Sequence, residues 1–85
     1  MGDLTEVILY TRTGCHLCDE ARDAILALRD EGLAVELREL DIEGDERLHA
    51  ELAERVPVVE VAGEIVSELV VDVRSLRSRL DTVAA

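Results

Sequence analysis

Cys15 and Cys18 are the only two cysteines among the 85 residues, and their Cys-x-x-Cys spacing is that of a dithiol able to open and close a disulfide. Thiol–disulfide exchange needs one thiolate to attack and a second thiol to resolve the mixed disulfide. The pair sits at a junction in the chain. The apolar run Val7-Ile8-Leu9-Tyr10 stops at Gly14, and an amphipathic helical pattern starts just after it. Cys15 therefore falls at the N-terminus of a helix, where backbone N–H groups and the helix dipole favour a negative sulfur. Cys18 lies one turn further in and is expected to be the shielded, resolving thiol. Sulfurs at i and i+3 share one helix face, so a bond between them is geometrically reasonable.

The neighbours add charge and shape. Arg12, turned back toward Cys15, would stabilise the thiolate electrostatically. His16 adjoins the nucleophile, and its protonated form would favour the thiolate further. Tyr10 is placed either to pack beside the sulfurs within reach of a substrate or simply to fill its strand. His49 has no motif around it and reads as a structural or surface residue. A competing reading makes the cysteines ligands rather than catalysts, in a binding module or metal-handling protein. For zinc, Cys15 and Cys18 would need two further ligands, and neither a second Cys-x-x-Cys nor a His pair at ligand spacing is present. No metal site is expected.

Composition narrows the partners. Twenty Asp+Glu stand against nine basic residues, all arginine, for a formal net charge of −11. That balance argues against nucleic acid and anionic membrane surfaces, and favours basic partners through electrostatic steering. No apolar run approaches the roughly 20 residues that span a bilayer, and no basic segment followed by an apolar stretch opens the chain. The sequence thus predicts a cytoplasmic, monomeric domain. In a reducing compartment, two cysteines at this spacing are catalytic or metal-binding rather than a structural staple.

The elements that must position the pair follow in order. Met1–Thr5 is a frayed lead-in, and Glu6–Thr11 is a first strand whose continuous apolar centre predicts burial on both faces. A helix is expected over Cys15–Glu31, with Leu17, Ala21, Ala24, Ile25 and Leu28 as its buried stripe, Asp19 and Glu20 in its first turn, and Gly32 as its C′ residue. Ala34–Leu40 reads as a half-exposed or edge strand, with Glu36 and Arg38 outward. Asp41–Asp45 is a turn, and Asp45 caps a helix over Glu46–Arg55 with Leu48, Leu52 and Val56 inward. Pro57 opens a strand through Val61, Ala62-Gly63 turns the chain, and Glu64–Ser67 returns antiparallel. A further apolar segment, Leu69-Val70-Val71, leads to Asp72. Asp72 caps a last helix over Val73–Thr82, with Val73, Leu76, Leu80 and Val83 inward, and Val83–Ala85 frays. The order is β-α-β-α-β-β-α, an α/β domain whose first β-α-β should be parallel with a right-handed crossover.

With this order, a Cys-x-x-Cys after the first strand and Val-Pro before the third, the chain resembles the glutaredoxin branch of the thioredoxin-fold superfamily. The family's Tyr-Ser/Thr-Lys/Arg-x-x-Cys-x-x-Cys segment is matched by Tyr10, Thr11, Arg12, Cys15 and Cys18, and its Thr-Val-Pro segment by Val56 and Pro57. Cys-His-Leu-Cys in so short a chain is most similar to the small bacterial glutaredoxin-like proteins. The resemblance covers the whole chain. It implies a thioredoxin-like fold with a four-stranded mixed sheet flanked by three helices. It also implies thiol-disulfide oxidoreductase activity on protein or glutathione mixed disulfides, with Cys15 attacking and Cys18 resolving. No cofactor is expected to be bound; glutathione would be a cosubstrate, and glutathione or a thioredoxin-reductase-type flavoprotein the electron donor. Pro57 would be cis, and Val56 would present its backbone to an extended substrate. Arg12 would hold a substrate carboxylate. Some relatives bridge an iron–sulfur cluster between subunits. Two segments depart from the family pattern: His16-Leu17 lies between the cysteines, and Ser67–Asp72 lacks the paired glycines that hold glutathione, leaving Asp72 alone to stand in for them.

Overall fold

The computed structural model describes residues 4–84. Its elements are strand β1 (Thr5–Thr11), helix α1 (His16–Asp30), strand β2 (Val35–Asp41), a 3-10 turn over Ile42–Gly44, helix α2 (Glu46–Leu52), strands β3 (Val58–Val61) and β4 (Glu64–Glu68), and helix α3 (Val73–Ala84). They make one four-stranded sheet in the order β2-β1-β3-β4. β1 pairs parallel with β2 and antiparallel with β3, and β3 pairs antiparallel with β4. The expected mixed sheet with three helices is therefore present, with β2 at one edge. No helix among the described residues is long and apolar enough to cross a membrane.

Local chemistry explains most boundaries. Asp45 Oδ1 accepts from the N–H groups of Arg47 and Leu48, and so caps α2. Gly32 takes φ +105° after α1, and the Leu33 N–H returns to Leu28 O, closing the helix as a C′ glycine does. Asp41 caps the 3-10 turn that occupies the expected loop. α2 stops three residues earlier than its apolar pattern suggests. The Arg55 and Val56 N–H groups both return to Leu52 O, so Ala53–Arg55 close the helix as turns, and Pro57 keeps Val56 out of helical conformation. At the ends, Thr5 joins β1 and donates to Ala34 O, and α3 runs on through Val83 to Ala84 instead of fraying. Met1–Asp3 and Ala85, also expected to be loose, lie outside the described residues.

The core is aliphatic and lies mainly on one sheet face. Val7, Leu9, Val59 and Val61 of the sheet pack with Ala21, Ile25 and Leu28 of α1 and Leu76 and Leu80 of α3. The expectation that β1 is buried on both faces is corrected: Ile8 and Tyr10, on the opposite face, are only half-buried. On that face the smaller cluster of Cys18, Ile42, Leu52, Val56 and Val58 covers Tyr10 only in part. Two helix stripes are also corrected. In α1 the buried line is Cys18, Ala21, Ile25 and Leu28, while Leu17 is 40% exposed. In α3, Leu76 and Leu80 face in, but Val73 and Val83 are exposed.

The β3–β4 hairpin turns through Ala62 (φ 51°) and Gly63 (φ 81°), the two left-handed residues of a I′ turn. Ala62 holds an unfavourable conformation for a residue with a Cβ. Ala62→Asn is expected to stabilise the domain by about 1 kcal/mol, which raises the melting temperature by roughly 4–8 °C. A thermal scan showing no rise would rule this out.

Candidate active site

The site forms where the ends of several elements meet at one end of the sheet. Gly14 turns the chain through φ +75° between β1 and α1. Cys15 then becomes the N-cap of α1, with extended backbone (φ −92°, ψ 105°). Its Sγ accepts the Cys18 N–H at 3.1 Å, as an N-cap side-chain oxygen would. Cys15 is half-buried and Cys18 is 2% exposed, so the first sulfur is the accessible one. The two are joined as a disulfide, with their Cα atoms 5.2 Å apart.

A second apolar cluster ties the pair to the rest of the site. Cys18 packs with Ile42, Leu52, Val56 and Val58, and Cys15 and Tyr10 pack against that group. Residues from α1, β1, β3 and the segments around α2 thus converge on the sulfurs. The Val56-Pro57 peptide bond is cis, and Pro57 is fully buried. The Val56 N–H donates to Leu52 O at 3.1 Å. Of the two main-chain groups that Val56 could offer to an extended chain, its N–H is therefore already engaged.

The remaining sequence-selected residues take diverse positions. Arg12 Nη1 donates to Ala53 O, the C-cap carbonyl of α2, at 3.1 Å. His16 is the first, exposed residue of α1, and His49 lies exposed in α2. The Tyr10 hydroxyl donates to Glu60 Oε1 at 3.2 Å. Burial first, and then the Glu60 carboxylate, raise the Tyr10 pKa above its ordinary value.

Asp72 caps α3: its carboxylate accepts the Ser75 N–H at 3.0 Å and the Ser75 hydroxyl at 2.7 Å. The Ser75 N–H, followed by its hydroxyl, holds the Asp72 carboxyl below the usual range. A carboxyl with a lowered folded pKa stabilises the fold above its unfolded value, and that contribution is lost as pH falls through the folded value. Following the Asp72 carboxyl by NMR should place its titration below the ordinary aspartate range. Ser75→Ala, which removes the hydroxyl and keeps the N–H, should move it part of the way back up, and an Asp72 titration in the ordinary aspartate range in the parent protein would break the assignment.

Two features had no signal in the sequence. Glu43 Oε1 accepts the Thr13 N–H at 3.0 Å, bringing a carboxylate from the 3-10 turn onto the loop that enters Cys15. Leu69, read as part of an apolar segment, is half-exposed at φ +67°, and its N–H donates to both Arg55 O and Pro57 O at 2.9 Å. A bulky residue in the left-handed region gives no pattern that sequence reasoning can find.

Comparisons with known proteins agree with this architecture. The glutaredoxin-like domain model (DUF836) matches residues 6–81. The comparison with curated proteins found no match. Among solved structures, protein Ne2328 from Nitrosomonas europaea superposes with TM-score 0.80 at 25% identity, over 93% of this chain and 94% of that one. Protein XcR50 from X. campestris gives 0.73 at 32% identity, over 89% and 96%. A thioredoxin from Malassezia sympodialis gives 0.66 at 19% identity, over 99% and 78%, a likeness of fold alone. A match across nearly the whole chain, on a sheet-and-helix order that superposes on a thioredoxin, decides the question: the chain belongs to the glutaredoxin-like domain family and has the thioredoxin fold.

Proposed function

We propose that the protein is a thiol-disulfide oxidoreductase in which Cys15 attacks and Cys18 resolves. The observation that carries the reading is the asymmetry of the pair: Cys15 Sγ caps α1 and is accessible, while Cys18 is buried in the adjoining cluster. At the helix N-terminus, the N–H that Cys15 Sγ accepts and the dipole both favour its thiolate, so it is expected to titrate below an ordinary thiol.

In the reduced state the Cys15 thiolate attacks one sulfur of a substrate disulfide. That S–S bond breaks, and the departing thiolate takes a proton from solvent. Cys18, deprotonated, then attacks Cys15 Sγ in the mixed disulfide and releases the second substrate thiol. The substrate gains two electrons, and the protein is left with the Cys15–Cys18 bond. A thiol donor, either glutathione or a flavoprotein reductase, restores the dithiol. Tyr10 and the Val56 main chain would face the substrate with the buried Pro57 behind them, and Arg12, His16 and Asp72 would supply charge and polarity around it. A cytoplasmic, reducing setting suits this cycle.

The test is to reduce the protein, titrate the thiolate by its ultraviolet absorbance and follow reduction of a small disulfide. An ordinary thiol titration together with no turnover would sink the reading.

A further inference from the structure

We infer that the dithiol serves polypeptide disulfides flanked by cationic and apolar side chains, and that glutathione disulfide is a poor substrate. This rests on the oxidoreductase reading above and names its substrate class.

Three observations point the same way. First, exposed apolar side chains gather at the Cys15 end of the fold. Leu17 lies between the cysteines, Leu69 (50% exposed) is hydrogen-bonded to Arg55 O and Pro57 O, and Val70 (63% exposed) and Val73 follow it. Leu69 sits in the left-handed region, where glycine or asparagine would be at ease. Its side chain is only half-covered, so the core does not account for a leucine there. Exposed apolar side chains on segments at the sulfurs' end of the sheet suit apolar residues of a partner chain.

Second, three of the four arginines around the site are engaged. Arg12 serves Ala53 O, Arg55 pairs with Glu68, and Arg22 bridges Asp19 and Glu39. Arg74, in the first turn of α3, is the exception: its side chain has no ion pair among the described residues, and the Asp72 carboxylate two residues away offsets its charge. Glutathione is a net anion whose two carboxylates need cations, and at Arg12, Arg22 and Arg55 they would have to displace existing partners. Meanwhile Glu43 stands on the loop entering Cys15, in a chain of formal charge −11. Its field repels anions and steers cations.

Third, Val56 offers an incoming chain no free N–H, because that group is bonded to Leu52 O. Strand-like addition uses both the N–H and the C=O of a residue. Recognition here therefore leans on side chains, and glutathione has few to offer.

The experiment mixes pre-reduced protein with three disulfides and measures the rate of dithiol oxidation. The probes are disulfide-linked dimers of Arg-Leu-Cys-Leu-Arg and of Glu-Leu-Cys-Leu-Glu, and glutathione disulfide. At low salt the cationic peptide should react about 10-fold or more faster than either anion, with the gap narrowing as salt rises. Leu69→Asn, which suits the left-handed backbone, should slow the cationic peptide about five-fold more than it slows hydroxyethyl disulfide. Equal rates for all three probes, or glutathione disulfide reacting fastest, overturn this inference and leave the oxidoreductase reading standing. No reaction with any probe overturns both.

Discussion

Cys15→Ser is expected to remove disulfide reduction, with a loss on the order of 10³-fold or more, because a hydroxyl at this position is neither ionised near neutral pH nor able to form the mixed disulfide. The fold should survive. Serine keeps an N-cap acceptor for the Cys18 N–H that Cys15 Sγ now receives. Cys18→Ser should behave differently. The first attack still occurs, but nothing inside the cluster of Ile42, Leu52, Val56 and Val58 can resolve the adduct. A covalent mixed disulfide on Cys15 should then accumulate, visible by mass spectrometry as the protein plus one substrate half. If Cys18→Ser turns over protein disulfides at the parent rate, or if Cys15→Ser retains activity, the assignment of roles is wrong.

Leu9→Ala is the change with the largest expected effect on stability, about 3–4 kcal/mol. Leu9 is fully buried in β1, between the strand's partners β2 and β3, and packs in the cluster built by α1 and α3. The chain has one tyrosine and no Phe or Trp, so no large ring can settle into the space left behind. Against a total stability of about 5–10 kcal/mol for a small domain, the loss is severe. Urea denaturation should show a markedly lower midpoint with an unchanged slope. Leu17→Ala is the control. It removes the same atoms from the same residue type at a 40% exposed position, and should cost about 1 kcal/mol or less. Equal costs at the two sites would contradict the placement of the core.

The comparison of those two leucines also shows where sequence reasoning reaches and where it stops. Leu17, Ala21, Ala24, Ile25 and Leu28 make an acceptable helical stripe, and so do Cys18, Ala21, Ile25 and Leu28. The two differ by a small rotation of the helix, and periodicity alone does not choose between them. The choice falls to the second cluster, which needs the Cys18 sulfur against Val56 and Val58.

What the sequence determined by itself is local. The Cys15–Cys18 spacing, the glycine that ends α1, the aspartates that cap α2 and α3, the Ala62-Gly63 turn and the order of the elements all act over a few residues. In each, the interaction that forms the feature is encoded beside it. The tertiary structure decided which surfaces meet. It put the Arg12 guanidinium on Ala53 O, the Glu43 carboxylate on Thr13 N–H, the Val56 N–H on Leu52 O, and Leu69 half in solvent beside Pro57. Apart from the Val56 bond, these juxtapositions join residues from separate segments, and their partners follow from how sheet and helices pack rather than from a neighbouring residue. The dithiol was therefore legible from its own spacing, whereas the surface that would choose its partner was built by packing.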